Sequence, residues 1–491
     1  MRADLEQFIE SARWFGGKGR SATVSDVRRL GTLGSAEKDG TPFVGIELVS
    51  LTYADGETET YQVPIAYYAE PQGRLEHAQI GQWEDPDLGP VHAYDAMHDR
   101  EVTILWLQAF DSGHDDGNLA FHRLPGHELD LTTHSTLFSG EQSNSSLAFG
   151  EDSLMKVFRK VTPGHNPDIE IHARLTEAGS DHVAALYGWV EATGHDTDGQ
   201  PVHLAMLQQF LRTASDGWDL ALASVRDLFA EADLHADEVG GDFAGESHRL
   251  GVATGEVHRT LSEVFPSDSW GPAELAVLAG AMRGRLDAAV AAVPQLAPHA
   301  ETLQKLYDSV AAISEPVPVQ RVHGDFHLGQ TLRTVKGWKI VDFEGEPAKP
   351  LAERVLPDSP WRDVAGMLRS FDYAAHAVEA DVQAEHDNTQ IAYRAAEWAE
   401  RNQRAFLAGY VEATVLAPEH DAGDANRVEV DEDADPALLL PAHVRTLLTG
   451  YQADKAVYET VYEARNRPSW IGIPLGAIER LTAARDAEES T

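Results

Sequence analysis

The stretch that decides the fold is Val322-His-Gly-Asp-Phe-His-Leu-Gly-Gln-Thr-Leu332, which is followed by Lys339-Ile-Val-Asp-Phe-Glu-Gly-Glu-Pro347. Each half begins with a short apolar run that is typical of a strand and continues into a polar turn. Asp325 and Gln330 are five residues apart, and Asp342 lies 17 residues after Asp325. The two turns therefore bring carboxylate and amide side chains to the ends of two successive strands.

These residue types suit phosphoryl transfer. The reaction needs a carboxylate that orients the attacking hydroxyl and hard oxygen ligands that hold Mg²⁺ on a triphosphate. Kinases place them on an Asp-x-x-x-x-Asn loop and on the Asp of an Asp-Phe-Gly turn. Asp325 and Gln330 fit the first turn, with Gln in place of Asn, and Asp342-Phe343 fits the second, with Glu344 before Gly345. The pattern predicts Asp325 as the catalytic residue and Gln330, Asp342 and Glu344 as Mg²⁺ ligands; a polar turn that only stabilises itself is the disfavoured alternative.

Two histidines flank Asp325. A histidine beside a catalytic carboxylate can act as a general base, but in this pattern it more often packs under the loop and bonds the backbone, which is the interpretation favoured for His323. His327 is ambiguous in the same way, and we include it among the candidate substrate contacts.

The two motifs resemble the maltokinase version of the aminoglycoside-phosphotransferase signature. Further segments that resemble the same family are Ala12–Lys18, Lys156–Lys160 with Asn166–Glu170, Asp358–Gly366 and Tyr458–Pro468. The resemblance implies an α+β, bilobal protein-kinase-like fold, with a strand-rich N-lobe that carries an extra N-terminal cap subdomain and with a helical C-lobe. It also implies transfer of the ATP γ-phosphate to the anomeric hydroxyl of maltose, giving maltose 1-phosphate for α-glucan (glycogen) synthesis from trehalose, with trehalose synthase as a candidate partner.

The order of elements along the chain agrees with such a fold. Apolar runs at Phe43–Tyr53 and Glu59–Tyr67 are typical of strands, whereas the chain becomes helical from about residue 217. We expect a cap subdomain at 1–120, a kinase N-lobe at 121–211 and a helical C-lobe at 212–491 that carries the catalytic and acceptor sites. Helices are predicted at 218–233, 246–264, 272–290, 299–313, 391–414 and 441–466, and solvated loops at 195–200 and 419–435. A further helix is predicted to open at Asp363, which could cap that helix or support the loop that carries Asp325.

The predicted nucleotide site lies in the N-lobe. Lys156 follows a strand, as a phosphate-binding lysine should, and Glu170 on the following helix is its expected partner, with Asp168 as the rival. A helix start is predicted at Asn166, with Asn as the cap and Pro in the first turn. Further nucleotide contacts are predicted at Ser143, Asn144 and Ser145, in a turn over the phosphates, and near Gln208 and Phe210, in a hinge strand that would bond adenine.

An aromatic face is predicted for the acceptor. Tyr451, Tyr458, Tyr462 and Arg465 recur at spacings of 7, 4 and 3, which places them on one face of a helix, and Trp470 follows where that helix must stop. Aromatic rings can stack on the apolar face of a glucose unit, so Tyr458, Tyr462, Arg465 and Trp470 are candidate sugar contacts. The alternative is that tyrosines at helical spacing belong to the core.

Composition narrows the class of protein. Among 491 residues there are 39 Lys and Arg against 80 Asp and Glu, a formal net charge of −41, and there is no cysteine. Such an acidic chain repels phosphate backbones and anionic lipids, so we expect neither a nucleic acid nor a membrane as partner, and the absence of a long apolar run favours a soluble cytoplasmic protein. Two other functions stay open: a kinase of another small hydroxyl substrate, such as glucosamine or an aminoglycoside, and a non-catalytic module that binds a partner.

Overall fold

The computed structural model describes residues 1–34, 43–138, 143–192, 200–231, 233–346, 349–383, 389–416 and 435–489. The chain divides into two compact units. Unit 1 comprises Met1–Thr176 with Ala184–Arg212, and unit 2 comprises Glu177–Val183 with Thr213–Thr491. The predicted loops at 195–200 and 419–435 lie outside the described residues, except for their last residues. The division into three domains stays a prediction.

Unit 1 begins with helix α1 (Arg2–Ser11) and an antiparallel sheet. Both predicted strands are present, they pair with each other in antiparallel register, and each is buried along most of its length. Helix α2 (Arg100–Ser112) packs beside this sheet and begins at Asp99, whose side chain accepts the Glu101 amide. The strands are β1 (Ala22–Gly34), β2 (Phe43–Tyr53), β3 (Thr58–Tyr68), β4 (Gln79–Asp85) and β5 (Gly89–Asp95), in the order β1-β2-β3-β5-β4, with β10 (Lys160–Val161) paired to β3.

The second sheet of unit 1 carries the predicted nucleotide residues. Helix α3 (Pro167–Glu177) starts as predicted, because the Asn166 Oδ1 atom accepts the Asp168 amide at 2.8 Å and Pro167 fills the first turn. The strands are β6 (Leu119–Arg123), β7 (Ser135–Leu137), β8 (Asn144–Phe149), β9 (Ser153–Phe158), β11 (Leu186–Ala192) and β12 (Val202–Gln209), in the order β6-β11-β12-β9-β8-β7.

One buried arginine ties the two sheets of unit 1 together. The Arg159 side chain is only 1% exposed, and its Nη2 atom lies 2.8 Å from Asp95 while its Nε atom donates to the Ser145 hydroxyl at 2.8 Å. The guanidinium also lies 4.9 Å from the ring centroid of Trp14. Because a buried charge that loses its partner costs about 3–5 kcal/mol, this cluster strongly favours one arrangement of the cap strands against the second sheet.

Unit 2 is helical, with small antiparallel sheets that hold the catalytic turns. Each of the six predicted helices is present, α9 begins near Asp363 as predicted, and α8 and α12 are additional. The helices are α4 (Gly217–Ala230), α5 (Ala244–Val264), α6 (Pro272–Ala292), α7 (Ala300–Ala311), α8 (Leu351–Arg354), α9 (Trp361–Gln383), α10 (Thr389–Thr414), α11 (Ala442–Asn466) and α12 (Gly472–Glu489). The sheets are β13 (Ser215–Asp216), β16 (Thr331–Thr334) and β17 (Gly337–Ile340), in the order β13-β16-β17, and β14 (Asp268–Trp270) with β15 (Val317–Val319).

Helices α5 and α10 of unit 2 pack closely against each other. A Cβ atom on Gly251 would lie 2.0 Å from the Phe406 carbonyl oxygen, and one on Gly409 would lie 2.0 Å from the His248 carbonyl oxygen. Only glycine permits this approach of the two backbones.

The architecture is the predicted α+β type, with strands in the N-terminal region and helices in the C-terminal part. No helix within the described residues is long and apolar enough to cross a bilayer.

Candidate active site

The loop that carries Asp325 is held from below by Asp363, near the start of α9. The Asp363 carboxylate accepts the amides of His323 and Gly324 at 2.7 and 2.8 Å, and His258 of α5 contacts it at 3.1 Å. Asp363 is buried, and burial by itself raises its pKa. His258 and the bonds from the loop amides lower the pKa by more than burial raises it, so the pKa lies below its ordinary value. Gly324 adopts φ +84°, which favours glycine at this turn.

Asp325 itself lies next to a cation that the sequence did not indicate. The Nζ atom of Lys455, on α11, donates to Asp325 Oδ1 at 3.0 Å. Burial raises the pKa of Asp325, but Lys455 and then His327 lower it more, so the carboxyl has a pKa below its ordinary value and is ionised near neutral pH. An ionised, oriented carboxylate is the form that can accept a proton from a hydroxyl.

His323 has the structural role that the motif favours. Its Nε2 atom contacts the Val341 carbonyl oxygen at 2.9 Å, and its ring packs against Phe326 and Phe343. His323 thus joins the two catalytic turns from beneath. His327 differs: its Nδ1 atom accepts the Gly329 amide at 3.1 Å, and burial lowers its pKa, so the imidazole is neutral near neutral pH.

The predicted metal ligands lie at the end of this turn and on the next one. The Gln330 Nε2 atom donates to Asp342 Oδ2 at 3.1 Å, which brings the two side chains together, and Glu344 follows two residues later. Asp342 has φ +67°, and among the described residues it is the non-glycine with a positive φ. Such a conformation costs about 1–3 kcal/mol and is concentrated at functional sites. The oxygen donors of this turn are of the type that Mg²⁺ prefers.

In unit 1, Lys156 forms an ion pair with Asp168, which the sequence analysis gave as the alternative to Glu170. Lys156 lies on β9 and its Nζ atom is 3.2 Å from Asp168 Oδ2, while His172 contacts the other carboxylate oxygen at 3.0 Å. Burial opposes the charged form of Asp168, but Lys156 and His172 hold its pKa well below the usual range. The expected pairing of Lys156 with Glu170, which is half-buried on α3, stays a prediction.

The other predicted nucleotide contacts lie in the same unit, and several of their polar groups are already used there. The Ser145 hydroxyl accepts the Arg159 bond, and the Asn144 amide donates to Ser143 Oγ at 3.3 Å. The Phe210 amide donates to the Asp152 carbonyl oxygen at 2.9 Å. A contact between Phe210 and adenine must therefore use the carbonyl oxygen or the ring of Phe210. Gln208 lies in β12, and residues 139–142 of the predicted phosphate turn fall outside the described residues.

A cavity of about 340 Å³ opens beside Asp325 within unit 2. Its wall includes Lys455, Tyr451 and Tyr458 on one face of α11, as the helical spacing predicts. Tyr451, however, is buried and donates its hydroxyl to Asp358 at 2.6 Å, so it belongs to the core. Tyr458 and Tyr462 are 39% and 45% exposed, with ring centroids 6.5 Å apart, which is unusual for core tyrosines.

Two cations that the sequence analysis did not assign lie beside these aromatic rings, Lys455 next to Tyr458 and Arg467 next to Tyr462 and Trp470. Arg467 places its guanidinium 5.7 Å from the ring centroid of Tyr462 and 4.3 Å from that of Trp470, and Glu463 holds it at 2.6 Å. Arg465 is exposed on the same helix, and its assignment to the sugar stays a prediction. Lys455 and Arg467 are therefore the two cations that pattern reasoning missed; Lys455 could have been found from its spacing of four residues after Tyr451 and three before Tyr458.

Comparison with known proteins places this geometry in a family. The family model of the maltokinase N-terminal cap domain matches residues 8–99. A glucosamine kinase of Streptacidiphilus jiangxiensis is 30% identical over 343 residues, which cover 68% of this chain and 70% of that protein. The chain belongs to the maltokinase-like, aminoglycoside-phosphotransferase family of kinases.

A second relative and a solved structure are also similar to this chain. A glucosamine kinase of Mycolicibacterium smegmatis is 25% identical over 355 residues, covering 70% of this chain and 78% of that protein. A solved glucosamine kinase structure, in complex with glucosamine, ADP and inorganic phosphate, has a TM-score of 0.65 at 22% identity and covers 98% of this chain and 100% of that one. The chain thus has the fold and motifs of a sugar-kinase-like phosphotransferase.

Proposed function

We propose that this kinase transfers the γ-phosphoryl group of ATP to the anomeric hydroxyl of maltose, giving maltose 1-phosphate for α-glucan synthesis. The observation that carries the proposal is the ionised Asp325 at the wall of a sugar-sized cavity. The maltokinase type of cap at residues 8–99 supports maltose as the acceptor.

Asp325 orients the acceptor. Since Lys455 holds Oδ1, we assign Oδ2 to the bond with the acceptor hydroxyl, from which it takes the proton as the phosphoryl group arrives. Asp363 keeps the loop in place through the amides of His323 and Gly324. A positioned base contributes about 10²–10⁴ to the rate.

Gln330 of the first turn, together with two residues of the second turn, fits a divalent cation. Asp342 and Glu344 supply carboxylate oxygens and Gln330 an amide oxygen, and the bond from Gln330 Nε2 to Asp342 orients both side chains. A bound Mg²⁺ would offset the negative charge of the phosphates. Gln330 is the weaker of these ligands because its oxygen is uncharged.

Lys156 is assigned to the nucleotide phosphates. Its side chain is 13% exposed, and Asp168 fixes its direction. The further proposed contacts with ATP are the backbone and hydroxyl of Ser143, the backbone and side-chain amide of Asn144, and the hinge strand at Gln208.

The second glucose unit of maltose is assigned to the aromatic face of α11. Tyr458 lines the cavity, and Tyr462 is exposed one turn further along the helix. Trp470 with Arg467 continues this surface. Exposed rings supply the stacking surface that a sugar needs, and the nearby cations supply donors for its hydroxyls.

Glucosamine is the competing acceptor, because the curated relatives are glucosamine kinases. ADP release coupled to a spectrophotometric readout, measured across maltose, glucosamine and kanamycin, separates the candidates. We expect maltose to give the highest kcat/KM, and Asp325→Asn to lower that activity about 10²–10⁴-fold while nucleotide binding persists. A higher kcat/KM with glucosamine or kanamycin would overturn the choice of maltose, and no sugar-dependent ADP release at all would favour a non-catalytic module. A trehalose synthase partner stays a prediction.

A further inference from the structure

The ammonium group of Lys455 lies directly at the reacting end of the acceptor cavity. Its Nζ atom is 3.0 Å from Asp325 Oδ1 and 5.5 Å from the ring centroid of Tyr458, and about a third of the side chain is exposed. Burial lowers the pKa of Lys455, but Asp325 and Glu459 raise it more, so the group is charged at neutral pH. An acceptor that reaches Asp325 must therefore meet this cation.

The cavity lining is nearly balanced in charge, with five carboxylates against four cations, although the chain as a whole carries −41. Four of the five carboxylates that line it lie within ion-pairing distance of a cation, and the fifth, Glu353, is exposed at α8. The pairs are Asp325 with Lys455 at 3.0 Å, Asp358 with Arg362 at 2.7 Å, Glu346 with Arg362 at 2.9 Å and Asp454 with Arg285 at 2.7 Å, and Lys349 lies 3.6 Å from Glu346.

This balance has opposite consequences for cationic and neutral acceptors. An ammonium group near Asp325 finds the carboxylate already neutralised and is repelled by a like charge a few ångströms away. A neutral hydroxyl accepts a hydrogen bond from the Lys455 ammonium at no such cost. In glucosamine the amine lies on C2, beside the anomeric carbon, so a molecule poised for transfer to O1 would hold its charge against Lys455.

We propose that Lys455 is a specificity-determining residue, which restricts the acceptor to neutral sugars and rejects amino sugars and aminoglycosides. The proposal rests on the proposed function in one respect, that the acceptor binds in this cavity with its reacting hydroxyl at Asp325. It assigns to a single side chain the discrimination between the two acceptor classes of the family.

The test replaces Lys455 and measures the preference between two acceptors that differ in one group. Glucose and glucosamine differ at C2, with maltose as a further neutral acceptor. We would measure kcat/KM for each by ADP release, and the dissociation constants of glucose and glucosamine by calorimetry, at a pH at which the amine is protonated. The variants are Lys455→Met, Lys455→Gln as a second neutral replacement, and Lys455→Arg, which retains the charge. Lys349→Met is the matched control, because it removes one positive charge from the same cavity but not from Asp325.

The expected result is a shift in the ratio of glucosamine to glucose. Loss of one unit charge close to the amine should raise this ratio roughly 10- to 100-fold in Lys455→Met and Lys455→Gln, in turnover or in binding. Lys455→Arg and Lys349→Met should stay within about threefold of the wild-type ratio. A second readout is the acid limb of kcat/KM with a neutral sugar, which should move to higher pH in the neutral variants because Lys455 no longer lowers the pKa of Asp325.

The outcomes separate the two proposals. An unchanged ratio in both neutral variants, or an equal shift in Lys349→Met, overturns the role of Lys455. A wild type that prefers glucosamine to glucose and maltose overturns both proposals. A wild type that prefers a neutral sugar other than maltose, with the expected shift on replacement of Lys455, refutes maltose as the acceptor and supports the role of Lys455.

Discussion

Replacement of Asp363 by Asn should weaken the support of the loop that carries Asp325 without removing a group that takes part in the reaction. The buried carboxylate accepts three bonds, from the amides of His323 and Gly324 at 2.7 and 2.8 Å and from His258 at 3.1 Å. Asn has the same shape but only one acceptor oxygen, so at least one of these donors loses its partner. An unpaired buried donor costs about 1–3 kcal/mol and the lost charge adds to this, so we expect a loss of about 3–5 kcal/mol in the free energy of unfolding.

Two assays test this reasoning. The melting temperature should fall by on the order of 5–10 °C, and kcat should fall about 10- to 100-fold with little change in the KM for ATP, because Asp325 shifts while the N-lobe is untouched. Asp372→Asn is the matched control: Asp372 is also buried on α9, paired with Arg369, but does not contact the loop. It should lower the melting temperature without the selective loss of kcat.

The pH dependence gives a further check on Asp363. Its folded-state pKa lies below the ordinary value, so its stabilising contribution is fully present above the unfolded carboxyl pKa of about 4 and is lost as the pH falls through the folded pKa. The gap in melting temperature between wild type and Asp363→Asn should therefore shrink only once the pH falls below about 4, towards the folded pKa of Asp363. A gap that stays constant, or a variant that retains wild-type kcat, would refute the reasoning.

Four other substitutions test the remaining assignments. Asp342→Ala should eliminate Mg²⁺-dependent ATP binding and Gln330→Ala should weaken it less, since an amide oxygen is the poorer ligand; a Mg²⁺ titration of activity checks this, and a larger loss in Gln330→Ala would reverse the ranking. Lys156→Ala should raise the KM for ATP far more than the KM for the sugar, since it removes a phosphate-facing cation; equal effects on both would instead indicate an unfolded N-lobe. Tyr462→Ala should raise the KM for maltose strongly and leave the KM for ATP unchanged, and the melting temperature should hardly change, since Tyr462 is 45% exposed. A large fall in melting temperature together with the loss of activity would show that Tyr462 belongs to the core.

Local sequence patterns predicted much of this molecule correctly because they reflect local physics. The strand at Phe43–Tyr53 follows from an apolar run and the helix that starts after Asn166 follows from capping, and both signals depend on neighbours in the chain. The structural role of His323 also follows from its place in a motif. Helix α9 was only partly indicated, by Asp363 near its start, and α12 was missed.

Side-chain partners distant in sequence were harder to predict. Helical spacing placed Tyr451 and Tyr458 on one face, yet the same spacing describes a core residue and an exposed one, and only packing distinguishes them. Likewise Asp168 and Glu170 both lie on the first turn of α3, and it is the direction of that helix that brings Asp168 to Lys156.

The sequence by itself determined the reaction class, because the residues of the two catalytic turns lie close along the chain and their spacing carries the chemistry. The tertiary structure alone decided which cation meets the catalytic carboxylate. Lys455 is 130 residues from Asp325 and lies on helix α11, whereas Asp325 lies on a loop, and no local pattern encodes a contact that depends on how α11 packs beside that loop. Ion pairs act through space over a few ångströms, so the charge of the acceptor site is set by the fold and not by the net charge of the chain.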